Sequence, residues 1–368
     1  MITFYSPQHA LHHGKLEMFR GELVPCFEVP ARADFVLQEL VRRGLGEVRH
    51  LHTETQAEIR AEAQSEKQAK THALGAAALA RIHTPRYLHF LTHAWDEWVA
   101  LDPANAAKDA FPSLWPVRSF RTDVLPANFS ARMGLFSFDA GTPLTSGTWA
   151  AARAGADCAL SAAQRVADGA RAAFALTRPP GHHAGADFFG GYCFLNNAAL
   201  AAQHLRNNGP QRVAVLDIDY HHGNGTQAIF YDRSDVFFIS IHGDPHTEYP
   251  FYLGYADEVG AGSGYGFNHN LPLPRGSDFA QWRAALADAL HRIAKFGAQA
   301  LVVSLGLDTF GGDPISGFKL KSDDYFRVGE YLARADLPTV FVFEGGYAVS
   351  ELGVNVANVL EGFEQAAL

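Results

Sequence analysis

Asp217, Asp219 and His221 follow the apolar run Val213 to Leu216 at two-residue spacing. On a strand, that spacing turns all three side chains to one face. The face is too polar for a core, because burying an unpaired carboxylate is costly. Either the strand ends in a solvated polar turn, completed by Gly223-Asn224-Gly225, or the three residues hold a cation. Three other apolar runs also end in reactive groups: Ala172 to Leu176 leads to His182 and His183, Ala300 to Leu305 to Asp308, and Thr339 to Phe343 to Glu344-Gly345-Gly346-Tyr347. Parallel strands present their carboxyl ends on one edge of a sheet, so these groups can converge. Asp219, His221 and Asp308 would then give two oxygens and one nitrogen to a divalent ion and leave a position open, as catalytic zinc sites do.

An adjacent histidine pair is often only structural. Beside a water activated by such an ion, however, one imidazole of His182 and His183 can take and return a proton while the other stabilises charge, which is what amide hydrolysis requires. Tyr347 is either a half-buried ring in a strand-end turn or a phenol that donates to a developing oxyanion, with the two preceding glycines allowing it to move. Asp217 either orients His182 or binds a monovalent cation.

These groups need a sheet to bring them together, and the chain alternates accordingly. A strand is expected at Ile2 to Ser6, a helix at Pro30 to Arg43 and another at Arg81 to Trp98. The Ala-, Glu- and Gln-rich stretch Glu54 to Ala80 reads as exposed helix. From Thr148 to Gly169 the pattern is helical, with Ser146 or Thr148 as N-cap. Helices follow at Asn196 to Leu205, Phe279 to Phe296, Ser322 to Ala333 and Ser350 to Gln365, interleaved with the strands above and one at Val236 to Ile241, after which a Gly-rich loop runs through Phe267. Such alternation predicts an α/β domain, a mostly parallel sheet with helices on both faces. Residues 99–147 differ: five prolines interrupt them and Trp115, Phe120, Phe129, Phe136 and Phe138 add aromatic bulk, so they read as a long ordered loop that shapes a site or an interface.

The 368 residues contain 48% hydrophobic and 19% charged residues, enough for a large core and too few charges for a disordered chain. No apolar run approaches a membrane span, and the N-terminal stretch lacks the basic start and hydrophobic core of a secretion signal, so a soluble cytoplasmic protein is the expectation. Cys26, Cys158 and Cys193 are scattered and odd in number, which leaves any metal to His and carboxylates. A formal charge of -9 disfavours nucleic acid and suits a small cationic partner.

Four motifs, RPPGHHA at 178–184, DIDYHHGNGTQ at 217–227, GLDTFGGDP at 306–314 and EGGY at 344–347, occur in an order that resembles the zinc-dependent histone deacetylase superfamily over essentially the whole chain. The segments RGELVPCFE, FFGGYCFLNN and HGDP are most similar to bacterial acetylpolyamine amidohydrolases. The resemblance implies a single arginase/deacetylase-like domain over residues 1–368. It implies zinc, with ferrous iron as the alternative ion, on Asp219, His221 and Asp308; His183 as general base and acid; His182 as its electrostatic partner; and Tyr347 polarising the scissile carbonyl. It further implies a structural potassium ion on the Asp217 carboxylate, the backbone of Asp219 and His221, Ser240 and the backbone of Ile241, and a second monovalent-cation site near Phe230, Arg233 and Val236. Tyr192, Tyr249 and Ile315 match the walls of a substrate channel, and Glu17 an acidic residue near its mouth that could meet a distal ammonium. In many relatives the second histidine pairs with an Asp, where this chain has Asn224. The 99–147 insertion resembles a loop that builds a homodimer and narrows the channel, so the implied substrates are slender acetylated polyamines, with no nucleic-acid or membrane partner.

Three alternatives compete. A two-manganese ureohydrolase needs a further carboxylate two residues before Asp308, where Gly306 stands. An acetyl-lysine deacetylase would use the same chemistry on proteins, against which the insertion argues. A silent binding scaffold has no use for three ligands, two histidines and Tyr347 together.

Overall fold

The apolar runs become strands buried along their length, and their alternate residues face opposite ways. The computed structural model describes residues 1–51 and 75–366, and ten strands are found among them: β1 (Ile2–Tyr5), β2 (Leu16–Phe19), β3 (Glu22–Pro25), β4 (Glu47–His50), β5 (Ala172–Leu176), β6 (Val213–Asp217), β7 (Val236–Gly243), β8 (Asn268–Leu273), β9 (Ala300–Leu305) and β10 (Thr339–Phe343). Eight of them form one sheet in the order β4-β1-β5-β10-β9-β6-β7-β8, every pair parallel. β2 and β3 form a separate antiparallel hairpin.

Val213, Val215, Val302, Val340 and Val342 pack on one face of the sheet, and Ala214, Leu216, Leu301, Val303 and Phe341 on the other. The first face is covered by α2 (Pro85–Leu101), α3 (Phe129–Leu135), α4 (Thr148–Ala167) and α5 (Asn197–Asn207). The second is covered by α1 (Ala31–Arg43), α7 (Phe279–Phe296), α8 (Ser322–Ala333) and α9 (Val349–Gln365). This is the two-sided burial expected of a parallel sheet. A short helix, α6 (Asn224–Phe230), follows β6. No described helix is long and apolar enough to cross a membrane.

Several local expectations change. α2 begins at Pro85 because the Thr84 side chain accepts from Tyr87 N and proline suits a first turn. Neither Ser146 nor Thr148 caps α4. Gly147 occupies that position without a side-chain bond, and Thr148 Oγ1 instead accepts from Thr145 N at 2.8 Å. Residues 223–225 open α6 and are no free turn. The 99–147 segment includes the end of α2 and all of α3, whose Phe129 and Met133 enter the core, while Leu114, Trp115, Val117, Phe120, Val124 and Leu125 stay exposed. The helical reading of Glu54 to Ala80 falls mostly on residues 52–74, outside the described part of the chain.

Candidate active site and metal centre

β5, β10, β9 and β6 are consecutive neighbours in the sheet. Because strands lie about 4.8 Å apart, their four carboxyl ends fall within a span of about 15 Å. β6 stops at Asp217, so the convergence of Asp217, Asp219 and His221 does not come from strand alternation as the spacing suggested. The loop beyond the strand turns Asp219 and His221 toward Asp308, and ligand atoms of the three lie within 4.8 Å of one another. His221 Nδ1 is 2.9 Å from Asp308 Oδ2 and 3.4 Å from Asp219 Oδ1.

Backbone donors aim the carboxylates. Gly345 N donates to Asp219 Oδ2 at 2.8 Å, and Tyr220 N to Asp308 Oδ1 at 2.8 Å. Gly306 and Gly345 permit this approach, since a Cβ at 306 would strike Asp219 and one at 345 would crowd both carboxylates. Position 306 therefore has no room for the extra carboxylate of a two-metal site. Burial and the nearby Asp219 push Asp308 up to about 7. That is the strain of two carboxylates meeting in a buried space, which a divalent cation between them would relieve. Two carboxylates, one imidazole and the small cluster size fit such an ion.

The histidines are differentiated. His182 Nδ1 lies 3.0 Å from Asp217 Oδ2, and although burial opposes the charge, Asp217 and Asp219 raise its pKa to about 10. His183 Nδ1 lies 2.6 Å from Asn224 Oδ1, and burial together with His182 and His221 holds its pKa well below the imidazole range. The two ring centroids are 4.0 Å apart, and the opposite shifts favour charge on His182 and neutrality on His183. Asp217 is placed to hold the His182 ring, the first of the two roles read for it. The Tyr347 ring is buried, with its phenol pushed well above the usual range by burial, so it remains a donor at neutral pH. Asp313 accepts from Tyr347 N at 2.7 Å and fixes the turn.

The histone deacetylase domain family matches residues 27–363. The chain belongs to that family. It is 50% identical over 364 residues to acetylpolyamine amidohydrolase 2 of Pseudomonas aeruginosa, covering 99% of both chains. It is 45% identical over 367 residues to the acetylpolyamine amidohydrolase of Mycoplana ramosa, covering 98% of this chain and 99% of that one. The crystal structure of the acetylpolyamine aminohydrolase from Burkholderia pseudomallei superposes with a TM-score of 0.89 at 39% identity, over 100% of this chain and 99% of that one.

In this deacetylase-family chain, a cavity of about 370 Å³ opens from His183, His221 and Tyr347, and Glu17, Tyr192, Tyr249 and Ile315 all line it. The Tyr249 ring meets His183 edge-on at 5.2 Å, and Tyr192 meets Tyr347 at 5.6 Å. Glu17, read from the sequence as an acidic residue near the channel mouth, is 1% exposed, with Oε1 accepting from Tyr192 OH at 2.7 Å and Oε2 from Phe27 N at 3.0 Å. Burial raises it to about 7. Asp217 and Ser240 are register neighbours on β6 and β7, and Ser240 Oγ lies 2.8 Å from His242 Nδ1, while Ile241 is buried. The Phe230 carbonyl accepts from Arg233 N at 3.0 Å, and Val236 begins β7.

Sequence reasoning missed the residues that tie these turns together. Glu344 Oε2 accepts from Gly181 N at 2.6 Å and His182 N at 3.1 Å, joining the histidine turn to the tyrosine turn. Arg32, on α1, donates to the Gly346 and Glu344 carbonyls and lies over the Tyr347 ring. Asp139 Oδ2 accepts from Tyr249 OH at 2.7 Å and Gly191 N at 2.6 Å. The EGGY motif contained a signal for Glu344. Arg32 and Asp139 had none.

Proposed function

We propose that the protein is a cytoplasmic, zinc-dependent amidohydrolase that removes acetyl groups from acetylated polyamines, releasing acetate and the free amine. The observation that carries this reading is one cavity lined by His183, His221 and Tyr347 at its base and by Glu17 and Asp139 in its wall, with His221 belonging to the Asp219, His221 and Asp308 cluster and His183 lying beside His182.

Zinc on Asp219, His221 and Asp308 would supply Lewis acidity toward the amide carbonyl and water. His183, its Nδ1 hydrogen committed to Asn224, accepts the water proton on Nε2 as the C–O bond forms and delivers it to the amine nitrogen as the C–N bond breaks. The His182 imidazolium keeps His183 neutral beforehand and lends positive charge to the developing oxyanion. Tyr347 donates a hydrogen bond to that oxygen. Among the described residues Glu17 and Asp139 accept only from hydroxyl and backbone donors and have no cationic partner, which favours an ammonium group, whereas Glu248 in the same wall is paired with Arg275 at 3.1 Å.

Potassium on Asp217, Ser240 and Ile241, with the Asp219 and His221 backbone, and a second monovalent cation near Phe230, Arg233 and Val236, would offset buried negative charge. The exposed apolar residues between Leu114 and Leu125 support a homodimer through the 99–147 insertion. Purified protein is to be assayed on N-acetylputrescine, N-acetylcadaverine and acetylspermidine against an acetyl-lysine peptide. Preference for the small amines is expected. Preference for the peptide overturns the substrate reading, and inactivity of the zinc-loaded protein on every substrate overturns the hydrolase.

A further inference from the structure

The walls of the cavity are not uniformly acidic. Arg20 is the only arginine or lysine among the described residues that line it. It sits at the tip of the β2–β3 hairpin with φ 52, followed by Gly21 at φ 88, a left-handed pair that forms a tight hairpin turn. Its guanidinium lies over the Phe19 ring, with Cζ 4.9 Å from the centroid, and is exposed. Among the described residues no carboxylate comes within ion-pair distance of it.

The charges in the wall stand at different distances from the reaction centre. Glu17 bonds to Tyr192, whose ring packs on Tyr347, so it stands one tyrosine away from the reaction centre. Asp139 stands one tyrosine away on the other side, through Tyr249 and His183. Arg20 lies three residues beyond Glu17, at the exposed tip of the hairpin, whereas Glu17 is buried. Two buried or half-buried carboxylates thus stand near the reaction centre and an exposed cation at the hairpin tip, while Glu248 in the same wall is already paired with Arg275.

Resting on the acetylpolyamine reading, we propose that Arg20 is a specificity-determining residue that selects acetylated amines with a single ammonium group and disfavours those with a second one farther out. Glu17 and Asp139 suit the first ammonium beyond the acetylated nitrogen, and the Arg20 guanidinium opposes a second ammonium carried farther out. Repulsion between unit charges at such a site is reduced by solvent and salt but not abolished.

The test compares N-acetylputrescine with N8-acetylspermidine, which are identical from the acetyl group to the first amine and differ only in the propylammonium beyond it. The kcat/KM ratio of the longer to the shorter substrate should rise from wild type to Arg20→Ala to Arg20→Glu, by about tenfold across the series at low salt and less at high salt. Arg42→Glu makes the same charge change on the exposed face of α1, outside the cavity lining, and should leave the ratio at the wild-type value. An unchanged ratio in Arg20→Glu, or an equal change in Arg42→Glu, overturns the assignment of Arg20. If wild type turns over neither amine, the polyamine reading itself fails, which is a separate result.

Discussion

The inner end of the cavity is built from strand tips and the outer end from loops, and the two ends hold their charges differently. At the inner end each carboxylate is aimed by a backbone N–H from a neighbouring turn, as Asp219 is by Gly345 and Asp308 by Tyr220. Glycines at 306 and 345 bring the backbone so close that no side chain fits. At the outer end Glu17, Asp139 and Tyr249 come from a hairpin, an insertion and a long loop, and each carboxylate is held by a tyrosine hydroxyl, Glu17 by Tyr192 and Asp139 by Tyr249. The inner end is over-determined and suited to one reaction. The outer end can change residue by residue without disturbing the sheet, which is where substrate choice can vary.

The sharpest way to break this comparison is at the inner end. Asp308→Asn should remove the bound metal and reduce turnover by more than about 10³-fold, measured by metal analysis and kcat together, since a three-ligand site has no spare donor. Next in size, Tyr347→Phe should keep the metal and lose about 10²- to 10³-fold in kcat, as expected for one oxyanion donor. Wild-type kcat in that variant would remove Tyr347 from the mechanism.

At the outer end the effects should be smaller and fall on KM. Glu17 is raised by burial to about 7, so its carboxylate is lost as pH falls through that value. The KM for acetylputrescine should therefore rise below about pH 7, and Glu17→Gln should raise KM about tenfold and flatten that dependence. If the pH dependence of KM survives in Glu17→Gln, another group is responsible. The smallest change expected is in Asn224→Asp. An anionic partner 2.6 Å from His183 Nδ1 stabilises the imidazolium and raises its pKa, so the neutral base is lost at higher pH. The acid limb of the kcat profile should move up by about one unit, and a downward shift would contradict the pairing.

The inner end was legible in the sequence because its strands are buried on both faces and read as continuous apolar runs ending in reactive groups. β5, β9 and β10 begin and end where their residues predict. The strands β2, β3, β4 and β8 were not legible. Glu47-Val48-Arg49-His50 lies at a sheet edge, mostly exposed, and is a strand only through its bonds to β1. The outer wall was legible only by resemblance, and Asp139 not at all, since nothing in its neighbours marks it.

By itself the sequence determined the alternation of strands and helices and which carboxylates, histidines and tyrosine stand just beyond the strand ends, because these depend on local periodicity and on residue chemistry. The tertiary structure alone decided that β5, β10, β9 and β6 are neighbours, that Asp219 and His221 converge through a loop instead of along a strand, and that Glu17 is buried while Arg20 is not. Strand order and depth arise from contacts between segments far apart in the chain, and no local pattern carries them.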